Sequence, residues 1–177
     1  MRNLTRRAAA ALISVSLAAA IVAGLGYAAG LRVNTTGSIP VGLYRLSHAP
    51  VEKGQYVMFC PPDRPLFREA QKRGYIGAGF CPGGLGDMMK KILAAKGDQV
   101  TFTPEGVKVN DVLVPFSKPL NADPSGRMLP RLSGTVSLHD GEYLLMTDRS
   151  RVSFDARYFG VVTASQIQSV LKPVITW

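Results

Sequence analysis

The stretch Asn34-Thr35-Thr36-Gly37-Ser38-Ile39-Pro40-Val41-Gly42-Leu43-Tyr44 divides the chain into two parts of different character. It lies where a long apolar segment gives way to a strand-forming region, and it holds a serine between a glycine and a proline. Gly37 has a conformational freedom that other residues lack, and Pro40 fixes its own φ. We therefore expect a stiff bend that presents the Ser38 hydroxyl on an exposed corner. The same residues would also suit an ordinary turn into a first strand, and later stretches decide between the two interpretations.

The composition predicts one domain after an apolar N-terminal segment. The chain has 177 residues, of which 46% are hydrophobic, and a net charge of +9. Arg2, Arg6 and Arg7 precede the apolar segment, and the rest of the chain has 18 basic and 12 acidic residues. This modest excess suits an anionic bilayer as well as a phosphate backbone. We expect no nucleic acid partner, because the chain has no RNP-like pattern, zinc-finger spacing or basic helix.

Residues 1–31 predict a transmembrane anchor or signal segment, followed by one exported domain over residues 32–177. The run 8–31 is uncharged, and its 24 residues can cross a hydrocarbon core of about 30 Å as a helix. Basic residues before it place the N-terminus in the cytoplasm. Small residues at 18–20 and 28–30 leave cleavage of a signal peptide open. We favour an uncleaved anchor, because the run exceeds the usual signal-peptide core of about 7–15 residues.

The two cysteines, Cys60 and Cys81, predict a disulfide in an exported protein. Two separate buried thiols are the alternative. The bond would close a small cap-like insertion, residues 60–81, that leaves the main sheet and contains a short helix from about 64 to 73 with Asp63 as its cap. Two thiols and two histidines are too few for a structural zinc site, so we expect no metal and no cofactor.

Most of the remaining chain predicts a mainly β domain with antiparallel strands. Short apolar or alternating runs are separated by Gly, Pro, Asn and Asp, and no βαβ alternation is present. The predicted strands are 43–46, 55–59, 88–95, 99–103, 107–109, 112–114, 142–147, 156–162 and 167–173. Asn110-Asp111 suits a two-residue hairpin turn, and residues 121–134 predict a long surface loop.

Two adjacent lysines interrupt the apolar strand predicted at 88–95. Alternation places Lys90 and Lys91 on opposite faces of the sheet, so one of them should point inward. Burial disfavours the ammonium form and lowers the pKa, and a neutral lysine can act as a general base for a serine. Two lysines extending from an edge strand to solvent are the alternative.

A third stretch combines charged, hydroxyl and aromatic residues, and with the first two it resembles a known family. Three segments are similar to the signature boxes of type I signal peptidases (S26), which are membrane-anchored serine/lysine proteases. These segments are Ser38 with Pro40, Lys90-Lys91-Ile92 through Gly97-Asp98, and Asp148-Arg149-Ser150 followed by Ser153, Asp155, Arg157 and Gly160. The form of residues 36–44 is closer to the branch that matures pilins in conjugative plasmid transfer, often called TraF-like.

The resemblance implies that Ser38 is the nucleophile and Lys90 the general base. It also implies that the Thr36 hydroxyl and the backbone N–H of Ser38 form the oxyanion hole. Housekeeping signal peptidases have a methionine after the serine and the proline one residue further on, whereas Ile39 and Pro40 follow here. We therefore do not expect the general exported proteome to be the substrate.

The last box supplies three further residues by the same resemblance. Ser153 corresponds to a hydroxyl that orients the lysine. Asp155 and Arg157 correspond to an acidic and basic pair, which is structural or catalytic, and we include Asp155 among the candidate catalytic residues.

The resemblance implies a protein of the bacterial inner membrane with its catalytic domain in the periplasm. Its partners would be a prepilin substrate and the conjugation machinery. Members of the branch join pilin ends head to tail, so cyclisation is a hypothesis beside plain hydrolysis. A general signal peptidase and a non-catalytic periplasmic scaffold are the alternative functions.

Two other serine chemistries fit the sequence poorly. A Ser/His/Asp triad would have to use His48 or His139, but no GxSxG motif is present. The SxxK match at 169–172 leaves only five residues for the downstream motifs of a penicillin-binding enzyme.

Overall fold

An apolar helix leads into a β structure. The computed structural model describes residues 2–177, without the side chains of residues 2–6, 8 and 9. Helix α1 covers Arg2–Ala28, and its segment Ala10–Ala28 is long and apolar enough to cross a membrane. None of that segment is buried against the rest of the protein. An N-terminal helix of this kind fits either a membrane anchor or a signal sequence.

Two antiparallel sheets contain most of the strands, which confirms the predicted mainly β fold class. The seven-stranded sheet has the order β1-β2-β12-β3-β5-β10-β11, and the four-stranded sheet has the order β8-β7-β6-β9. The strands are β1 Leu31–Asn34, β2 Gly42–Ser47, β3 Tyr56–Phe59, β4 Ala78–Cys81, β5 Met88–Ala94, β6 Gln99–Thr103, β7 Gly106–Val109, β8 Val112–Leu113, β9 Gly134–Ser137, β10 Glu142–Met146, β11 Val162–Thr163 and β12 Ile167–Thr176. Two further helices are α2 Pro65–Lys72 and α3 Ala156–Phe159.

The large sheet has buried apolar side chains on both faces, and one lysine of β5 is buried among them. Val57, Ile92 and Val170 belong to the core on one face, whereas Tyr44 and Leu171 belong to a smaller cluster on the other. Alternate residues of β5 are buried along its whole length, and Lys90 occupies one of the buried positions. The prediction that one of the two lysines points inward is confirmed, since Lys91 is only partly buried and bonds Asp148 at 2.6 Å.

The turn between β7 and β8 has the predicted two-residue geometry. Asn110 and Asp111 have φ values of 50° and 64°, which residues other than glycine seldom adopt. Asparagine and aspartate tolerate this region, so the short loop closes without a glycine.

The predicted insertion leaves the large sheet after β3 and returns before β5. Cys60 and Cys81 form the expected disulfide, with their Cα atoms 5.4 Å apart. The predicted helix is present as α2, but the prediction that Asp63 caps it is wrong. Pro65 is the first helical residue and makes Arg64 the N-cap, because proline suits the first helical position. Asp63 instead forms an ion pair with Arg68.

The strand predicted at 156–162 is wrong. Its first part is the helical turn α3, and only Val162–Thr163 forms a strand. The Asp155 carboxylate accepts a hydrogen bond from the Arg157 N–H at the helix start, and Gly160 ends the turn with a φ of 80°. The N-cap at Asp155 and the glycine at the end of the turn therefore favour a helical turn, although the apolar composition predicted a strand.

Three strands were not predicted from the sequence. They are β1, β4 and β9, each of four residues. Strand β1 begins at Leu31, which the sequence assigned to the end of the anchor. Strands β1 and β9 are defined by pairing with β2 and β6, whereas β4 makes only isolated bridges to Leu85.

Replacing both cysteines should destabilise the fold. A Cys60→Ser/Cys81→Ser variant frees a loop closed over a sequence separation of 21, so its free energy of unfolding should fall by about 3 kcal/mol. Urea unfolding of the oxidised wild type and the variant measures the difference. Quantitative thiol labelling of unreduced, unfolded wild-type protein at both positions would contradict the disulfide.

Candidate active site

The side chains of Ser38 and Lys90 meet on one face of the large sheet. Lys90 comes from the middle of β5, and Ser38 lies in the loop between β1 and β2. The Lys90 Nζ donates a hydrogen bond of 2.6 Å to the Ser38 Oγ. The Ser38 Oγ also lies 3.2 Å from the Ser153 Oγ. The two side chains are therefore in position for direct proton transfer.

Burial changes the acidity of Lys90. Lys90 is only 4% exposed, and its side chain lies on the face of the large sheet that carries the main apolar core. Loss of hydration lowers the pKa of Lys90 from 10.5 to about 8, the nearby Asp155 carboxylate raises it, and the Arg157 guanidinium lowers it further. A substantial fraction of neutral amine is therefore present slightly above neutral pH.

The loop that carries Ser38 is held by Asn34. This residue is 4% exposed, and its Nδ2 donates to the carbonyls of Thr36, Ile39 and Pro40 at 2.8, 3.1 and 3.0 Å. Its Oδ1 accepts from the Thr36 N–H at 3.2 Å and the Thr36 hydroxyl at 2.9 Å. Sequence reasoning missed Asn34, although an asparagine at the start of a Thr-Gly-Ser turn is a recognisable signal.

The predicted role of Gly37 in the bend is wrong. The φ of Gly37 is not positive, and a Cβ added there would meet no atom within 4 Å. The hydrogen bonds of Asn34 shape the loop instead, so an unusual glycine conformation is not needed. Ser38 is also half-buried and does not stand on an exposed corner.

Asp155 and Arg157 form a buried ion pair behind the site. The Arg157 Nε and Nη2 donate to the two carboxylate oxygens at 2.7 and 2.9 Å, and both side chains are fully buried. Asp155 also accepts from the Thr147 N–H, and Arg157 donates to three backbone carbonyls, those of Phe116, Ser150 and Arg151. Asp155 makes no hydrogen bond to Ser38 or Lys90, so its geometry fits a positioning role through charge and support of the last box.

A cleft opens beside Ser38 and Lys90. It has a volume of about 250 Å³ and is lined by residues that include Asn34, Thr36, Ser38, Tyr75, Asp87 and Lys90. Thr36 is exposed at its wall. In the described part of the chain the hydrogen-bond partners of the Ser38 side chain are Lys90 and Ser153, and neither histidine is among them. The arrangement suits nucleophilic attack by a serine with a lysine as base.

Breaking the buried ion pair should cost far more than breaking an exposed one. Arg157→Met leaves the Asp155 carboxylate buried without its partner, so the free energy of unfolding should fall by about 3–5 kcal/mol. Lys96→Met is the matched control, because the Lys96–Asp140 pair is 69% and 85% exposed and should contribute less than about 1 kcal/mol. Urea unfolding compares the two, and equal costs would contradict a supporting role for the Asp155–Arg157 pair.

The chain is similar to known proteins over almost its whole length. The family model described as signal peptidase, peptidase S26, matches residues 4–177. The chain is 56% identical over 178 residues to a plasmid transfer protein TraF of Escherichia coli, with 100% of both chains covered. It is 36% identical over 173 residues to a conjugal transfer protein TraF of Agrobacterium tumefaciens (strain 15955), covering 94% of this chain and 96% of the relative.

A solved structure is also similar. A signal peptidase I from Enterococcus faecalis V583 matches with 17% identity and a TM-score of 0.39, covering 71% of this chain and 100% of that one. The family assignment rests on the sequence matches, which extend over almost the whole chain. They confirm the resemblance that the three boxes indicate. The chain belongs to the signal peptidase family, peptidase S26.

Proposed function

We propose that the protein is a membrane-anchored serine endopeptidase in which Ser38 is the nucleophile and Lys90 the general base. The observation that carries this proposal is the 2.6 Å hydrogen bond between the Lys90 amine and the Ser38 hydroxyl. A lysine with an ordinary pKa would be protonated at neutral pH and could not take the serine proton. The burial that lowers the pKa of Lys90 to about 8 removes this obstacle.

The reaction would proceed through an ester on Ser38. Neutral Lys90 takes the hydroxyl proton while the Ser38 Oγ attacks the substrate carbonyl. The Ser38 N–H and the Thr36 hydroxyl would stabilise the oxyanion, and the Lys90 ammonium then gives its proton to the leaving amine. The Ser153 hydroxyl contacts Ser38 and not Lys90, so it would orient the nucleophile rather than the lysine.

The site would face the periplasm from the inner membrane. Helix α1 is apolar enough to span a bilayer, and the basic residues before its apolar part favour a cytoplasmic N-terminus. Residues 1–31 would then be the anchor and residues 32–177 the periplasmic catalytic domain, with residues 60–81 as its cap-like insertion.

The substrate would be a pilin precursor of a conjugation system. The relatives are named plasmid transfer and conjugal transfer proteins, which supports a partner in the conjugation machinery. A general signal peptidase and a non-catalytic scaffold are the alternatives. The buried lysine favours the enzyme over the scaffold, because an unused buried amine would only destabilise the fold.

Substitution of the dyad should abolish processing of the co-expressed pilin precursor. Ser38→Ala removes the nucleophile and Lys90→Ala removes the base. Lys90→Arg should also fail, because a guanidinium cannot lose a proton in this range. Lys91→Ala is the matched control and should have a mild effect, since Lys91 pairs with Asp148 on the other face of the strand.

The pH profile gives a second test of the same assignment. The neutral amine is the active form, so activity should be low below the pKa of Lys90 and should rise through a midpoint near pH 8. Rates of precursor cleavage between pH 6 and about 10 measure this midpoint. An active Lys90→Arg variant would refute the role of Lys90 as base.

The ester on Ser38 can be resolved by water or by an amine. If the α-amino group of the pilin is held beside the ester, its high effective concentration favours a new peptide bond and a cyclic product. The cyclic pilin should be one water lighter than the linear chain and lack a free α-amine. Intact-mass analysis and N-terminal sequencing decide between the outcomes, and a linear mass with a sequenceable N-terminus would establish hydrolysis.

The anchor has its own test. If the apolar segment is not cleaved, the protein should resist carbonate extraction from membranes and keep Met1 at its N-terminus. N-terminal sequencing of the extracted protein measures this. A soluble chain that begins near residue 31 would show a cleaved signal peptide instead.

A further inference from the structure

The Thr36 hydroxyl has a partner already in the free protein. A threonine hydroxyl carries one proton, and here it is donated to the Asn34 Oδ1 at 2.9 Å. A hydroxyl stabilises an oxyanion by donating its proton to it in a hydrogen bond. The hydroxyl must therefore turn its proton from Asn34 to the oxyanion during the reaction that we propose.

Asn34 is built to allow that exchange without releasing Thr36. Its Oδ1 also accepts the Thr36 N–H at 3.2 Å, so the backbone of Thr36 stays attached when the hydroxyl proton leaves. The amide oxygen has two lone pairs and remains hydrogen-bonded throughout. The side chain thus retains one bond to Thr36 and gives up the other.

The same side chain holds the backbone on both sides of Ser38. Its Nδ2 contacts the Thr36 carbonyl before the serine and the Ile39 and Pro40 carbonyls after it. The Tyr44 hydroxyl adds a bond of 2.7 Å to the Pro40 carbonyl from the core. The Ser38 N–H belongs to the Gly37–Ser38 peptide, which lies between the held carbonyls. Restraining the segment at Thr36 and at Ile39–Pro40 therefore limits the directions that this N–H can take.

We infer that Asn34 is a positioning residue for the oxyanion site, aiming the Ser38 N–H through its amide nitrogen and the Thr36 hydroxyl through its amide oxygen. This rests on the proposed function, because it assigns a role within the same reaction. Asn34 itself is 4% exposed and would not touch the reacting atoms. Its effect should therefore appear in the transition state rather than in substrate binding.

The test compares full-length Asn34→Ala with wild type in detergent, using the pilin precursor as substrate. Loss of one oxyanion donor typically lowers kcat by about 10²–10³, so we expect kcat to fall about 100-fold with KM and the pH midpoint unchanged. Affinity for a peptide aldehyde made from the residues before the cleavage site should fall in parallel with kcat/KM, because its adduct carries the oxyanion. Asn121→Ala is the matched control, since Asn121 is an exposed loop asparagine, and it should behave as wild type.

A double-substitution cycle separates positioning from general support of the fold. Thr36→Val removes the hydroxyl, so adding Asn34→Ala to it should cost clearly less than Asn34→Ala costs alone. Fully additive losses would overturn the coupling to Thr36. An unchanged kcat in folded Asn34→Ala, or a change confined to KM, would overturn the inference as a whole.

Thermal unfolding of each variant checks that the comparison is made on folded protein. If Asn34→Ala does not fold, Asn34→Ser is used, because it keeps a small polar group in the loop but is too short to contact all the carbonyls. If neither variant folds, Asn34 serves the fold rather than the oxyanion site, and the inference is overturned. Failure of the wild type to cleave any precursor would count against the proposed function, and Ser38→Ala identifies that case separately.

Discussion

The structure depends on a lysine amine held inside an apolar sheet. Placing Lys90 in the buried row of β5 lowers its pKa from 10.5 to about 8, which corresponds to about 3 kcal/mol of preference for the neutral form. The unfolded chain binds the proton more tightly, so this cost to stability is largest below pH 8 and falls away as the pH rises toward 10.5. The same burial that lowers stability leaves a partly neutral amine beside the Ser38 hydroxyl.

The two nearest charges act on the pKa of this amine in opposite directions. Asp155 raises the pKa of Lys90 and Arg157 lowers it, and because the two are joined as an ion pair their effects oppose each other. Burial is therefore the dominant influence. The pair also connects the start of α3 to the backbone carbonyls before Ser153, which brings that hydroxyl to Ser38. Asn34 holds the loop that carries Ser38 itself, through hydrogen bonds such as the one to the Ile39 carbonyl.

Local patterns predicted the elements whose causes are local. Alternation along β5 predicted that one lysine is buried, and Asn110-Asp111 predicted a hairpin turn, because both follow from neighbouring residues. The errors arose where a cap or a stop overrides composition. Pro65 moved the start of α2, and the cap at Asp155 together with Gly160 converted a predicted strand into α3.

The sequence by itself determined the fold class, the apolar helix, the cysteine pair and the family, since each depends on composition, periodicity or motifs in chain order. The tertiary structure decided which atoms meet. Lys90 and Ser153 lie 52 and 115 positions after Ser38 in the chain, yet both side chains come within hydrogen-bonding distance of the Ser38 hydroxyl. It also decided that Asn34, and not Gly37, shapes the serine loop, because only packing buries that amide beside three carbonyls and makes their hydrogen bonds obligatory.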